Sequence, residues 1–277
     1  MSNTFKVACI QTNSGADVPA NLDSATDLAR KARDAGADLI AFPETVNIMA
    51  PDRATLKSRT QPEDNNAALL AFQDVARETG AWIVIGSLLV DVPGSDKMAN
   101  RSFLLDDKGA IRARYDKIHM FDVKLGGAEN HRESNHYNPG DKAVLATTPW
   151  GQLGMTICYD LRFAYLYRAL AQAGAGILSV PAAFTRVSGQ AHWHVLLRAR
   201  AIETGCYVIA PAQCGDHPGN RQTYGHSLIV DPWGEVLADG GEDTGYIIAD
   251  IDLSKVHEAR NKIPAMTHDR DVGLIKS

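Results

Sequence analysis

Three side chains, Glu44, Lys117 and Cys158, each come directly after an apolar or alternating run of the sequence, in LIAFPE, IRARYDK and GMTIC. Residues at the ends of several strands of one sheet commonly converge on a pocket, and these three make a workable chemical set. A cysteine attacking an amide or nitrile carbon needs a base that takes its proton and later returns it to the leaving amine. Glu44 can do that. The attack leaves an oxyanion, which Lys117 and the backbone N–H of Tyr159 could hold; losing one such donor typically costs about 10²–10³ in rate. Taken singly, each residue has a plainer explanation: a solvated loop carboxylate, a surface lysine, a small buried thiol.

Cys158 lies in the stretch Gly151–Phe163, GQLGMTICYDLRF. Leu153–Ile157 reads as a buried strand, and a helix is expected just beyond, with Asp160 able to serve its first turn. Backbone N–H groups at a helix start lack intrahelical partners and favour negative charge. The thiol is therefore expected to have a lowered pKa and to be partly thiolate near neutrality. A lysine close by would lower the pKa and a carboxylate would raise it, so the charge state of the assembled site stays open.

The elements that would position these residues repeat a pattern. Asn21–Ala35, Ala67–Thr79, Leu166–Ala173 and Trp193–Thr204 have helical spacing or composition, and each stops at a glycine. The strands that follow are Leu39–Phe42, Trp82–Leu89, Ile177–Val180 and Tyr207–Ala210, and three of them end at a proline. RKARDAGADLIAFPE and RALAQAGAGILSVPAAF are visibly alike, as expected of an internally duplicated α/β layer. Hairpins are expected at Arg101–Leu105 with Ile111–Tyr115, and at Ser227–Val230 with Val236–Ala238. Strands with helices on one side fit sheets packed face to face with helices outside.

Composition narrows the function. Hydrophobic residues at 45% and charged residues at 22% are ordinary for a globular chain with a sizeable core. A net charge of −5 and no long basic run argue against a nucleic-acid or anionic-membrane partner. No window approaches the roughly 18 unbroken apolar residues of a membrane helix, and MSNTFKVACIQ does not read as a signal peptide. Four scattered cysteines without a C-x-x-C argue against a disulfide framework or zinc and point to the cytoplasm. Neither G-x-G-x-x-G after the first strand nor G-x-x-x-x-G-K-[ST] is present, so nucleotide binding has no support.

FPET around Glu44, YDKIHMFDV around Lys117 and GMTICYDLRF around Cys158 together resemble the nitrilase superfamily of carbon–nitrogen hydrolases. The resemblance runs from about Val7 to Asp271, through AHWHVLLRARAIETGCYVIAPAQCG and YGHSLIVDPWGEV. It implies Glu44 as general base, Lys117 as the oxyanion-holding lysine and Cys158 as nucleophile. The family's second glutamate would be Glu129 or Glu133; Glu133, followed by Ser134 and then Pro139-Gly140, matches the pattern and would orient Lys117 and the attacking water. The plainer alternative pairs it with Arg132 or Lys142. The resemblance further implies a single-domain, four-layer αββα sandwich over residues 1–277 and a homodimer or higher homo-oligomer. The reaction would be hydrolysis of a small-molecule amide to acid and ammonia through a thioester, without metal or cofactor.

LLRARAIETGCYVIAPAQCG reads nearest to the deaminated glutathione amidase branch, with the ω-amidase branch next. Both imply an amide of an α-keto acid, and an anionic substrate needs a cation to hold it. Arg162 is the first candidate, because guanidinium matches carboxylate bidentately; Arg186 and Arg198 are further ones, although Arg198 and Arg200 read better as structural. Tyr159, Phe184 and Thr185 should rim the pocket. His194 departs from the glutamate of the animal enzymes in this segment, and His192 with His194 is a weak zinc pair, since residues two apart on a helix point to different sides. An N-carbamoyl hydrolase or nitrilase on the same site is the alternative activity. A non-enzymatic scaffold would be expected to lack one of the three residues.

Overall fold

The computed structural model describes residues 4–124 and 130–275. The chain opens with β1 (Thr4–Gln11), α1 (Val18–Asp34) and β2 (Leu39–Ala41), then α2 (Arg53–Arg59) and the short β3 (Gln61–Pro62). α3 (Ala67–Thr79), β4 (Trp82–Asp91), β5 (Met98–Leu105) and β6 (Ile111–Asp116) follow. Asp17 caps α1 by accepting from the Ala20 N–H, and Asn66 caps α3 by accepting from the Leu69 N–H. Gly80 ends α3 in the left-handed conformation, φ 63°, that a side chain would disfavour.

β7 (Asp122–Lys124) and β8 (Asn130–Arg132) pair as a small ribbon. The second half holds β9 (Val144–Thr147), β10 (Gln152–Met155), α4 (Ala164–Gln172), β11 (Ala175–Ser179), α5 (Arg186–Thr204) and β12 (Tyr207–Ala210). β13 (Cys214–His217) and β14 (Arg221–Tyr224) form a second ribbon. β15 (Leu228–Val230), β16 (Val236–Asp239), β17 (Gly245–Asp252) and α6 (Ser254–Lys262) complete the order.

Two sheets result. One runs β17-β1-β2-β4-β5-β6 and the other β16-β15-β12-β11-β10-β9, each with a parallel centre and antiparallel edges. Alternation along β1 shows how they stack. Val7 and Cys9 join the core shared with Leu153, Ile177 and Val208 of the second sheet, while Ala8 and Ile10 face Ala25, Ala29 and Phe72 of α1 and α3. Leu166 and Leu170 of α4 and Trp193 and Leu197 of α5 cover the second sheet. The layers are therefore helix, sheet, sheet, helix, as the family resemblance implied. No helix among the described residues is long and apolar enough to cross a membrane.

Two sequence expectations are corrected. The helix expected just after Cys158 is a short 3₁₀ turn, Cys158–Arg162, and α4 begins only at Ala164. α5 begins at Arg186 rather than Trp193, because its first turns are held by tertiary contact rather than apolar spacing. A Cβ on Gly189 would lie 2.4 Å from the Tyr224 Cβ, so the missing side chain is what lets α5 seat against β14.

The turn that carries Glu44 is fixed by β4. The register of β4 against β5 shifts between Ile85 and Leu88, and a Cβ on Gly86 there would fall 1.9 Å from the Phe42 carbonyl oxygen and 2.4 Å from that of Pro43. Ser87 then accepts from the Thr45 N–H through its hydroxyl at 2.8 Å. Gly86→Ala should cost on the order of 1–3 kcal/mol from overpacking and lower kcat as the Glu44 turn shifts. Gly245→Ala, where nothing lies within 4 Å, should do neither. Thermal melts and turnover of the two variants check this, and equal behaviour would contradict it.

Candidate active site

β2 delivers Glu44 through Pro43, β6 delivers Lys117, and β10 delivers Cys158 three residues past its end. The first two strands belong to one sheet and the third to the other, so the site lies on the seam between them. Lys117 has no solvent exposure, and its Nζ donates to Glu44 Oε1 at 2.9 Å and to Glu133 Oε2 at 2.8 Å. Glu44 also accepts from Asn100 Nδ2 at 2.9 Å and, through Oε2, from the Ala183 N–H at 2.9 Å. Glu133 accepts from the Phe121 N–H at 2.9 Å as well. The Cys158 thiol lies close enough to Glu44 and Lys117 to feel both charges. The structure thus brings Glu44, Lys117, Glu133 and Cys158 into one cluster; Glu129 lies outside the described residues.

The electrostatics follow from this packing. Burial alone would raise the Glu44 pKa, but Lys117, with help from Arg221, outweighs it and holds the carboxyl below its ordinary 4.5. Burial alone would pull Lys117 down, but Glu133 and Glu44 hold it well above 10.5. For Cys158, burial and then Glu44 push the thiol well above 9.0, against the opposing pull of Lys117. The expected lowered thiol pKa is therefore overturned: burial and the nearby Glu44 charge outweigh the turn's N–H groups and Lys117. The resting cluster holds a carboxylate, an ammonium and, nearby, a neutral thiol.

The turn around Cys158 is tightly determined. Cys158 has φ 48°, a conformation costing a non-glycine residue on the order of 1–3 kcal/mol. Its N–H donates to the Pro181 carbonyl at 2.9 Å. The first hydrogen bond of the turn is donated by Asp160 to Ile157, which leaves the Tyr159 N–H without an intrahelical partner. Fully buried Asp160 accepts from the Ile157 N–H at 2.9 Å, the His119 N–H at 3.0 Å and the Tyr115 hydroxyl at 2.6 Å. It therefore clamps the cysteine turn to the segment that carries Lys117, a role that reached no further in the sequence than service to its own turn. Arg200 braces the same turn by donating to the Leu161 carbonyl at 2.8 and 3.0 Å, and Arg198 donates to the Gly234 carbonyl; both are structural.

A narrow slot over Cys158 is walled by Tyr159, Phe184 and Thr185, together with Phe121, Glu133 and Arg221. Arg162 stands beside these walls: its guanidinium lies 5.1 Å from the Phe184 ring centre and within 3.3 Å of His192 Nδ1. Arg221 was missed in the sequence, where GNRQTYG reads as an ordinary charged turn. It donates through Nη2 to the Ala183 carbonyl at 3.0 Å, while its Nε is buried with no hydrogen-bond partner among the described residues. An orphaned buried donor costs about 1–3 kcal/mol. His194 takes no part in the slot; it pairs with Asp239 Oδ2 at 3.0 Å, and His226 pairs with the other oxygen of Asp239 at 2.9 Å.

The family model described as carbon-nitrogen hydrolase matches residues 6–261. The deaminated glutathione amidase of Yersinia enterocolitica is 39% identical, over 97% of this chain and 94% of that protein. The human protein of the same name is 42% identical, over 95% and 82%. The crystal structure of Saccharomyces cerevisiae Nit3, a member of branch 10 of the nitrilase superfamily, superposes with a TM-score of 0.86 at 28% identity, over 96% of each chain.

The buried cluster makes stability pH-dependent in a defined window. A carboxyl held below 4.5 stabilises the fold above that pH and ceases to as pH falls through its folded value; an ammonium held above 10.5 stabilises below that pH and ceases to as pH rises through its folded value. Lys117→Met strands two carboxylates and should cost about 3–5 kcal/mol. Denaturant unfolding across pH should show the gap between wild type and variant widest between 4.5 and 10.5 and shrinking on both sides. A pH-independent gap would contradict the cluster.

Proposed function

This chain belongs to the carbon–nitrogen hydrolase family and is an amidase acting on non-peptide carbon–nitrogen bonds; on that premise we propose that it hydrolyses the amide of a small α-keto acid, deaminated glutathione first among them. The observation that carries this reading is a buried Lys117 ammonium ion-paired with Glu44 and Glu133 beside the slot that Cys158 lines. Relatives named deaminated glutathione amidase, matching nearly the whole chain, support the substrate class.

The steps follow from the contacts. Glu44 takes the thiol proton as sulfur bonds to the carbonyl carbon, and the oxyanion is held by the Lys117 ammonium and the Tyr159 N–H. Collapse breaks the C–N bond, and the leaving amine takes the proton from Glu44. From a primary amide that product is ammonia; from deaminated glutathione, whose amide carries a dipeptide, it is the dipeptide amine. Glu44 next removes a proton from water, which Glu133 helps to orient, and the hydroxide displaces the sulfur, which recovers its proton. The sum is amide plus water to acid plus amine, with Cys158 regenerated. Tyr159, Phe184 and Thr185 shape the acyl slot, and Arg162 at its edge and Arg221 in its wall supply positive charge for the keto acid.

The chain acts as a homodimer or higher homo-oligomer in the cytoplasm. Support comes from Val187, Val195 and Ile202, large exposed apolar residues along α5, and from four unpaired cysteines.

Keto-acid release from deaminated glutathione and α-ketoglutaramate, measured beside an N-carbamoyl amino acid and a simple nitrile, tests the reading. Deaminated glutathione should be the best substrate, and Cys158→Ala should abolish turnover while melting like wild type. Preference for the carbamoyl compound or the nitrile, or residual turnover in Cys158→Ala, would overturn it.

A further inference from the structure

Outside the slot over Cys158, three metal-ligating side chains from three different elements meet. His194 stands midway along α5, His226 lies in the turn between β14 and β15, and Asp239 ends β16. His194 Nε2 is 3.0 Å from Asp239 Oδ2, and His226 Nδ1 is 2.9 Å from Asp239 Oδ1. One ligand atom of each residue lies within 4.8 Å of the others. In the sequence His194 could be paired only with His192. The fold turns His192 to Arg162 instead and gives His194 its partners from the strand side.

The donors are held in place by their surroundings. The Tyr224 ring stacks on His226 with ring centres 4.4 Å apart and stands edge-on to His194 at 6.0 Å. His226 has φ 53°, and its carbonyl accepts from Trp193 Nε1 at 2.8 Å while its N–H donates to the Gly241 carbonyl at 2.6 Å. The Gly241 N–H in turn donates to Asp239 Oδ1 at 2.9 Å. Contacts of this kind orient the ligands of metal sites. The side chains of His194, His226 and Asp239 are 33%, 20% and 35% exposed, so an ion can enter and water can complete its shell. The only ion-pair partners of Asp239 among the described residues are these two imidazoles, and with both neutral the trio carries one negative charge.

We propose that His194, His226 and Asp239 bind one divalent transition-metal ion of the zinc class, and that the ion staples α5 to β16 and to the turn before β15. Two imidazoles and a carboxylate suit zinc and its first-row neighbours, whereas magnesium and calcium prefer all-oxygen shells. Zinc bonds nitrogen and carboxylate oxygen at about 2.0–2.2 Å, so small turns of these side chains close the three atoms onto it. Each imidazole gives the ion a lone pair with its proton on the other ring nitrogen, and Asp239 gives an oxygen; nothing is oxidised or reduced. The staple sits behind one wall of the slot. Trp193, beside His194, packs on Phe184 with ring centres 5.0 Å apart, and the Tyr224 N–H donates to the Phe184 carbonyl at 3.0 Å.

Zinc titration of chelator-stripped Cys158→Ala protein tests it, the substitution keeping the active-site thiol out of the competition. Calorimetry should find one zinc per chain, and the melting temperature should rise with zinc concentration; magnesium should do neither. His194→Gln and His226→Asn in the same background should each weaken zinc at least ten-fold, the lower end of what losing even an outer contact costs. Asparagine is chosen at 226 because it tolerates positive φ. His257→Gln, an exposed histidine elsewhere, should bind as the parent does. No zinc bound by the parent, magnesium bound equally well, or unchanged affinity in His194→Gln would overturn the proposal. Should His226→Asn fail to fold, His194→Gln, on a half-exposed helix position, decides alone.

Discussion

A lysine ammonium shut away from water between two carboxylates is the constraint on which the rest of this molecule turns. Removing a charge from solvent costs several kcal/mol even after relaxation, and Lys117 is tolerated only because Glu44 and Glu133 meet it at 2.9 and 2.8 Å. The trio has an excess of one negative charge, which Arg221 partly offsets at Glu44. Another anion in the same dry space is unfavourable, so Cys158 keeps its proton at rest. In the proposed reaction the same arithmetic favours turnover: charge moved from sulfur onto a substrate oxygen beside Lys117 would be stabilised where it forms, with Glu44 already ionised to take the proton.

Holding this cluster requires the two sheets to be locked together at the seam. Glu44 comes from one sheet, yet its Oε2 accepts from the Ala183 N–H after β11, and its carbonyl accepts from Gln213 Nε2 at 3.1 Å, just after β12. Asp160 does the reverse, tying the cysteine turn of the second sheet to Tyr115 and His119 beside Lys117. Two of the four non-glycine residues with positive φ among the described residues sit at these corners, Thr45 next to Glu44 and Cys158 itself. Packing between the layers sustains that strain, and in return two side chains from distant strands meet in fixed geometry.

Much of the architecture was legible because it rests on local rules. Ala67–Thr79 and Tyr207–Ala210 fall where spacing and punctuation by glycine and proline place them. The start of α5 was not legible, since Gly189 and its neighbours favour a helix only when Tyr224 is packed against them. Arg221 was hidden for a related reason. A charged residue in a glycine-flanked turn looks solvated until the fold sets it beside the nucleophile.

What the amino-acid order supplies by itself is a candidate set and where along the chain it leaves the strands, Glu44, Lys117 and Cys158, with Glu133 added by the family resemblance. Tertiary structure alone decided their protonation and what surrounds them. A pKa depends on burial and on charges a few ångströms away in space, and the partners of Cys158 lie 114 and 41 positions distant in the chain, as 158 − 44 and 158 − 117. Only folding brings them near one another, and burial beside Glu44 turns the sequence's expected thiolate into a thiol.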